Sequence, residues 1–510
     1  MNENTMQNTT VYLPVCDRAV TAEAGCDYAM PDYQPEVRRL LRVKATVLPP
    51  ASYVGAGKAE FAGTVRYDIL YSGNDGALYS ATTSEAYQLS APLDKDADVD
   101  YSDELLAFCD PQVELLTGRV TAPRKLSLRC RLRGQIKAYG RHRLCERILG
   151  EVSEGSLQRL AGESQCAALT RCVSESVTLS EELSADGHVG ELRVILGEAA
   201  MTVSEAVSSA EGVGCRGEAT LKITACCEGE DPAPFILSKR VPFSVMVPAD
   251  GFTPDMCCRA RGCCTEMTCT VTEDGRILVD LSGVVMAEGQ GNLPVHYTAD
   301  LYSTEREDKA IFEEYRFPRA ARCIGGNFTQ SIYEPLASFG LAPDCEVLDV
   351  DASATVSSVS YDKGKWVIAG DTRMALLTRE GGEYATHELG LPFRYEAEGE
   401  GGEPMLATAD VTMTSGRARA EGGRLSVECE MAVSGRICVA GTLTALCQVE
   451  FGDRIDKPQE MVVAFPERGE SLWSVAKRYH APVAELARAN AVPVSISAPL
   501  PDRSPIVVNE

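Results

Sequence analysis

The 510-residue chain is poor in aromatic side chains, at 6% with two tryptophans, and holds only five histidines. Its cores must be built mainly from Val, Leu, Ala and Ile. His142, His188, His296, His387 and His480 stand in different blocks and form no H-E-x-x-H pair, so each reads as a surface or turn residue rather than a metal ligand. The chain has no G-x-x-x-x-G-K-[ST] loop and no G-x-S-x-G elbow, which leaves nucleotide and ester chemistry without a carrier. Nowhere do 18 apolar residues run together, and residues 1–12 lack the basic-then-apolar order of an export signal. The expectation is no membrane insertion and a reducing cytosol, in which the 20 cysteines act as small buried hydrophobes. Positive charge is also short. With 49 Lys and Arg against 74 acids the net charge is −25, which repels phosphate backbones and makes nucleic acid a poor partner.

Five cysteines crowd CCRARGCCTEMTC (257–269), but as adjacent pairs rather than the C-x-x-C knuckle that sets two thiolates on one ion. No metal and no cofactor are expected. SVAK (474–477) matches S-x-x-K, yet the K-T-G strand that accompanies it in penicillin-recognising enzymes is missing. Ser474 and Lys477 then read as the solvated face of a helix, and no catalytic residue is assigned.

At 510 residues the chain exceeds one core and suggests three or four units. Self-comparison supplies three. EFAGTVRYDILYSGNDGALY (60–79), CRGEATLKITACCEGEDPAPF (215–235) and IAGDTRMALLTREGGEY (368–384) align on Gly63, Gly217 and Gly370. Aromatic steps follow at Tyr87, Phe243 and Phe393, and later blocks end at Gly134, Gly283 and Gly435. Upstream, LRVKATV (41–47), LGEAAMTV (196–203) and VDASATV (350–356) begin each copy. Period-two alternation in RKLSLRCRL and RILVDL predicts strands, and GNDG (73–76), TEDG (272–275), REGGE (379–383) and AEGG (420–423) predict hairpin turns. Each aligned glycine reads as a bulge or a close backbone approach. Polar stretches at 145–165 and 305–340, with a helical patch at SLQRLAG (156–162) and connector glycines in IGGN (324–327), mark the boundaries. The expected organisation is an N-terminal arm with a first repeat over 1–145, a second over 146–300, a third over 301–455 and a small domain over 461–510.

In that last segment MVVAF (461–465) reads as a strand, Ser471 as the cap of a helix with Leu472, Val475, Ala476 and Tyr479 on one face, and PVAELARAN as a second helix stopped at Asn490 in a left-handed conformation. PIVV (505–508) closes the order β-α-α-β. Trp473 reads as part core, with an exposed indole edge that could anchor a partner between Lys477 and Arg478.

GESLWSVAKRY, the Leu486-x-x-x-Asn490 spacing and the final strand resemble the LysM domain. The resemblance implies a groove built from Gly469, Glu470, Ser471, Leu472 and the loop 491–496, including Val492 and Ile496. With the three β-rich repeats and PDYQPEVRRLLRV (31–43), the chain resembles the clostridial type of SPOCS-domain spore-coat morphogenetic proteins with a C-terminal LysM domain. The fold implied is mainly β, with three tandem SPOCS-like repeats in an elongated array before a LysM-like domain. The implied function is a non-enzymatic scaffold in the mother-cell cytosol. Its LysM domain docks onto the coat-assembly ATPase at the forespore surface, through Gly469, Glu470, Ser471, Leu472, Trp473, Lys477, Arg478, Asn490, Val492 and Ile496. The alternative is a module binding peptidoglycan or other N-acetylglucosamine-containing glycan.

Overall fold

The computed structural model describes residues 10–55, 57–94, 105–185, 190–228, 233–456, 462–491, 496–501 and 505–508. It is mainly β, and the two α-helices among the described residues both lie in the C-terminal segment.

One arrangement recurs three times. In the first unit the three-stranded meander Val37–Val47, Lys58–Gly73 and Leu78–Pro92 faces a second sheet, in which Lys125–Arg143 lies between Thr10–Ala29 and Gln112–Ala122. The second unit has the meander Leu192–Ser209, Gly212–Cys227 and Phe235–Pro248. In its other sheet Arg276–Ser303 pairs with Cys257–Val271, Leu157–Leu169 and Val173–Ser184. The third has the meander Glu346–Asp362, Lys365–Glu380 and Glu383–Glu398, with Arg424–Arg454 between Arg306–Pro335 and Pro404–Glu421. All these pairings are antiparallel, and alternate residues fill each core. Val65, Tyr67, Ile69 and Tyr71 of one strand are buried with Leu126, Leu128, Cys130 and Leu132 of the facing sheet. Each such large side chain contributes roughly 1.5–3 kcal/mol on burial. Tyr67 keeps its hydroxyl satisfied by donating to the Ala24 carbonyl at 2.8 Å.

The aligned glycines have a common reason. Gly63 lies directly opposite Tyr87, Gly217 opposite Phe243 and Gly370 opposite Phe393. In each pair the ring lies over the glycine, where a Cβ would collide with it. These are close approaches. The bulges are on the neighbouring strand, between Val203 and Glu205 and between Val356 and Ser358.

Five expectations are corrected. Beyond Ser156, which ends a 3-10 turn, SLQRLAG is the start of the strand Leu157–Leu169, because residues 157–162 pair antiparallel with 297–303. Ile324–Asn327 is the middle of Arg306–Pro335, with Gly326 giving room to the Tyr395 hydroxyl. The supposed N-terminal arm supplies the edge strand Thr10–Ala29 of the first unit and then the meander strand Val37–Val47. The units do not form an elongated array. They close on one another around shared apolar clusters: Leu41, Leu70 and Leu78 meet Ile195, Leu196 and Cys226 and also Leu377 and Tyr384. A second cluster joins Phe108 and Tyr139 to Leu169 and to Leu406 and Cys438. His142, read as a surface residue, is buried and packs on Tyr315 with ring centroids 4.9 Å apart.

Charge sits at the centre of this closure. Lys44, Glu198 and Asp351 face Asp68, Lys222 and Ala375, and each of those lies five residues beyond the aligned glycine of its unit. Equivalent positions of the three units therefore meet. Arg42 reaches Glu198 at 2.9 Å, Lys44 reaches Asp351 at 2.7 Å, and Lys222 pairs with Asp349. The first unit brings Arg42 and Lys44, the second Glu198 and Lys222, the third Asp349 and Asp351. A second cluster has Arg259 and Arg261 of the second unit held by Asp110 of the first and Asp410 of the third. Arg436, fully buried, pairs with Glu288 at 3.1 Å and lies 4.2 Å from the Phe108 ring. Burial disfavours the carboxylates of Glu198 and Asp110, yet the cations beside them hold both pKa values well below the usual range. Asp349 goes the other way, raised chiefly by its burial. Buried ion pairs of this kind add little net stability, but removing one partner leaves an uncompensated charge in the interior and is strongly destabilising.

Candidate protein-binding site

The C-terminal segment folds in the order strand, helix, helix, strand. Val462–Ala464 pairs antiparallel with Ile506–Val508, and between them lie α1 (Leu472–Arg478) and α2 (Val483–Ala489). Ser471 caps α1, its hydroxyl accepting from the Ser474 backbone N–H at 3.2 Å. Leu472, Val475, Ala476, Val483 and Leu486 are buried, as helical spacing requires, whereas Tyr479 is not: it is partly exposed under Arg478. Asn490 ends α2 with φ −105, and Ala491 takes the left-handed conformation at φ 47. Asn490 has another task. Its amide donates to the Leu486 and Val507 carbonyls and accepts from the Val507 N–H, tying α2 to the last strand.

The face of α1 that carries Trp473 is not open. Trp473 is only 3% exposed, its Nε1 donating to Asp300 Oδ2 at 2.8 Å, and Lys477 Nζ donates to Asp300 Oδ1 at 2.6 Å. The ring meets Tyr302 edge-on at 4.9 Å between centroids. The Tyr302 hydroxyl donates to the Ala481 carbonyl at 2.7 Å, His480 Nδ1 lies 2.8 Å from the Ser303 carbonyl, and Gln158 accepts the Val483 N–H at 3.3 Å. Asp300, Tyr302 and Ser303 end the long strand of the second unit. The expected exposed indole edge and solvated Lys477 are thus overturned, because both groups find a half-buried carboxylate in their own chain.

Of the residues assigned to the site, Leu472 is core, Trp473 and Lys477 form the dock, and Asn490 is a brace. Ile496 accepts the Trp473 N–H at its carbonyl, and Val492 lies outside the described residues. Gly469 is exposed in a turn at φ +84, followed by Glu470, which pairs with Arg478 at 3.2 Å. What the domain leaves open lies elsewhere. Val463 and Phe465, two residues apart on and just after the first strand, are 44% and 66% exposed, and Arg468, Arg478 and Arg488 are exposed as well. Sequence reasoning missed Asp300 and Tyr302, which no local pattern marks, and Phe465, whose exposure depends on where the strand ends.

No known family model matches the chain, and no curated protein matches it either. Among the described residues no three His, Cys, Asp or Glu side chains gather as metal ligands, and no helix is long and apolar enough to cross a membrane. A cavity of about 300 Å³ between the three units is lined by Lys44, Arg66 and Arg261 and equally by Asp68, Glu198 and Asp410, so opposite charges offset each other there.

Proposed function

We propose that the chain is a non-enzymatic spore-coat scaffold of the SPOCS and LysM type that holds a coat-assembly ATPase through its C-terminal domain, at the forespore surface in the mother-cell cytosol. The observation that carries this reading is the mounting of that domain. One face is fixed to the body through Trp473, Lys477 and Asp300, while Val463, Phe465 and the arginines of the other parts stay uncovered. An aromatic and an arginine left exposed on a rigid platform are the residue types that dominate protein interfaces. The segment 461–510 is neutral on a chain of net charge −25, so it repels an acidic partner less than the chain as a whole does.

The test is co-purification of the full chain from sporulating cells. Deleting 461–510 abolishes recovery of the ATPase, and Phe465→Ser or Arg478→Glu weakens it at least tenfold with the fold intact. Recovery that survives the deletion refutes the reading. Retention on peptidoglycan, reversed by N-acetylglucosamine oligomers, would replace it with the glycan-binding alternative.

A further inference from the structure

Half of the 20 cysteines are buried, where a thiol is inert. Burial pushes Cys109 and Cys438 up to about 12, and Cys166 and Cys215 up to about 11. Cys257 has different surroundings. It is exposed at the start of the strand Cys257–Val271 in the second unit, and its Sγ accepts the backbone N–H of Cys323 at 3.1 Å. Cys323 is half-buried on the strand Arg306–Pro335 of the third unit, 66 residues away in the chain. The Arg322 guanidinium adds positive potential beside the Cys257 sulfur. Hydrogen bonding from Cys323 and, more weakly, the Arg322 charge draw the Cys257 thiol down to about 7 against its burial. An exposed sulfur that is readily ionised, next to a half-buried partner cysteine on another unit, is the arrangement of an attacking and a resolving cysteine.

We propose that Cys257 and Cys323 form a thiol–disulfide exchange site that reacts with low-molecular-weight disulfides and closes into a covalent bond between the second and third units. With oxidised glutathione, the Cys257 thiolate attacks one sulfur and expels a glutathione thiolate, leaving a mixed disulfide. Cys323 then gives its proton to solvent and attacks the Cys257 sulfur, expelling the second glutathione thiolate. Two electrons pass from the two cysteines to the glutathione disulfide. The new bond lies beside the buried Arg259 and Arg436 cluster, so oxidation fixes the seam where the charges of three units meet.

The experiment treats the reduced full-length protein with oxidised glutathione and maps its cysteines by fragmentation mass spectrometry, which also separates Cys257 from Cys258. The expected product links Cys257 to Cys323, and its thermal midpoint lies above that of the reduced protein. Cys323→Ser keeps a glutathione adduct at Cys257, and Cys257→Ser gives no link at Cys323. Alkylation of Cys257 in the untreated protein rises with pH through a midpoint near 7. Preferential reaction at Cys145 or Cys172, a link joining Cys257 to Cys258, or a Cys257 no faster to alkylate than the other exposed thiols overturns the proposal.

Discussion

Replacing Asp300 by alanine removes the carboxylate that receives both Trp473 Nε1 and Lys477 Nζ. Hydrogen bonds to a charged group contribute about 1.5–3 kcal/mol each. The Lys477 side chain is 30% exposed, which weakens its share, so the loss comes to about 3 kcal/mol. That corresponds to roughly a hundredfold shift toward the undocked domain. The edge contact between Trp473 and Tyr302 survives and retains about 1 kcal/mol. The assay uses the chain's two tryptophans. Trp366 is fully buried, with its indole N–H bonded to the Glu400 carbonyl, and serves as the internal control. In the native chain acrylamide reaches neither ring. In Asp300→Ala it quenches Trp473 alone, and the Val483 amide, held only by Gln158 across the dock, exchanges faster. Asp300→Asn keeps an acceptor for the indole but loses the ion pair, and falls between the two. If Asp300→Ala leaves Trp473 shielded and the Val483 amide protected, the carboxylate does not hold the domain and the reasoning fails.

Three further outcomes follow from the interior. Arg259→Met leaves Asp110 and Asp410 to Arg261 alone in the seam and costs about 3 kcal/mol in urea unfolding, whereas Arg276→Met at an exposed pair changes stability by less than about 1 kcal/mol. Because Glu198 and Asp110 are depressed in the folded state, their stabilising share is fully present above the unfolded value of about 4 and is lost as pH falls below it. Asp349, raised by burial, has the opposite sign and loses its share as pH rises. The thermal midpoint therefore falls between pH 5 and about pH 3, and Glu198→Gln flattens that fall. Gly370→Ala drives a Cβ into the Thr355 carbonyl and the Phe393 ring and lowers stability by about 2 kcal/mol or more, whereas Gly390→Ala, in open space, is nearly neutral by the same measurement.

Turns and strands were legible because they are local. The turn clusters place Gly76, Gly275, Gly382 and Gly423 at positive φ between paired strands, and alternation placed Leu126, Leu128, Cys130 and Leu132 on one face. The misreading of SLQRLAG came from judging a strand without its partner, since 297–303, which pair with it, lie more than 130 residues away. In CCRARGCC the eye goes to the cysteines, yet Arg259 and Arg261, two residues apart and so on one face of a strand, join the three units. A clue was present in the aligned blocks, where LRVKATV carries two cations, LGEAAMTV an acid, and the residues at 349 and 351 are acids. Trp473 could not have been placed, since its acceptor lies 173 residues away.

The unequal division of charge at the centre also controls what the units can do apart. Three copies of the first unit, brought together as the three different units are, would crowd six cations at one point, and three copies of the third would crowd six anions. Neither can form that ring with itself. One of each kind, supplied once by a single polypeptide, brings the charges to neutrality, so the chain counts its own parts and a fragment holding only the first or only the third unit has no matching copy of itself to close with.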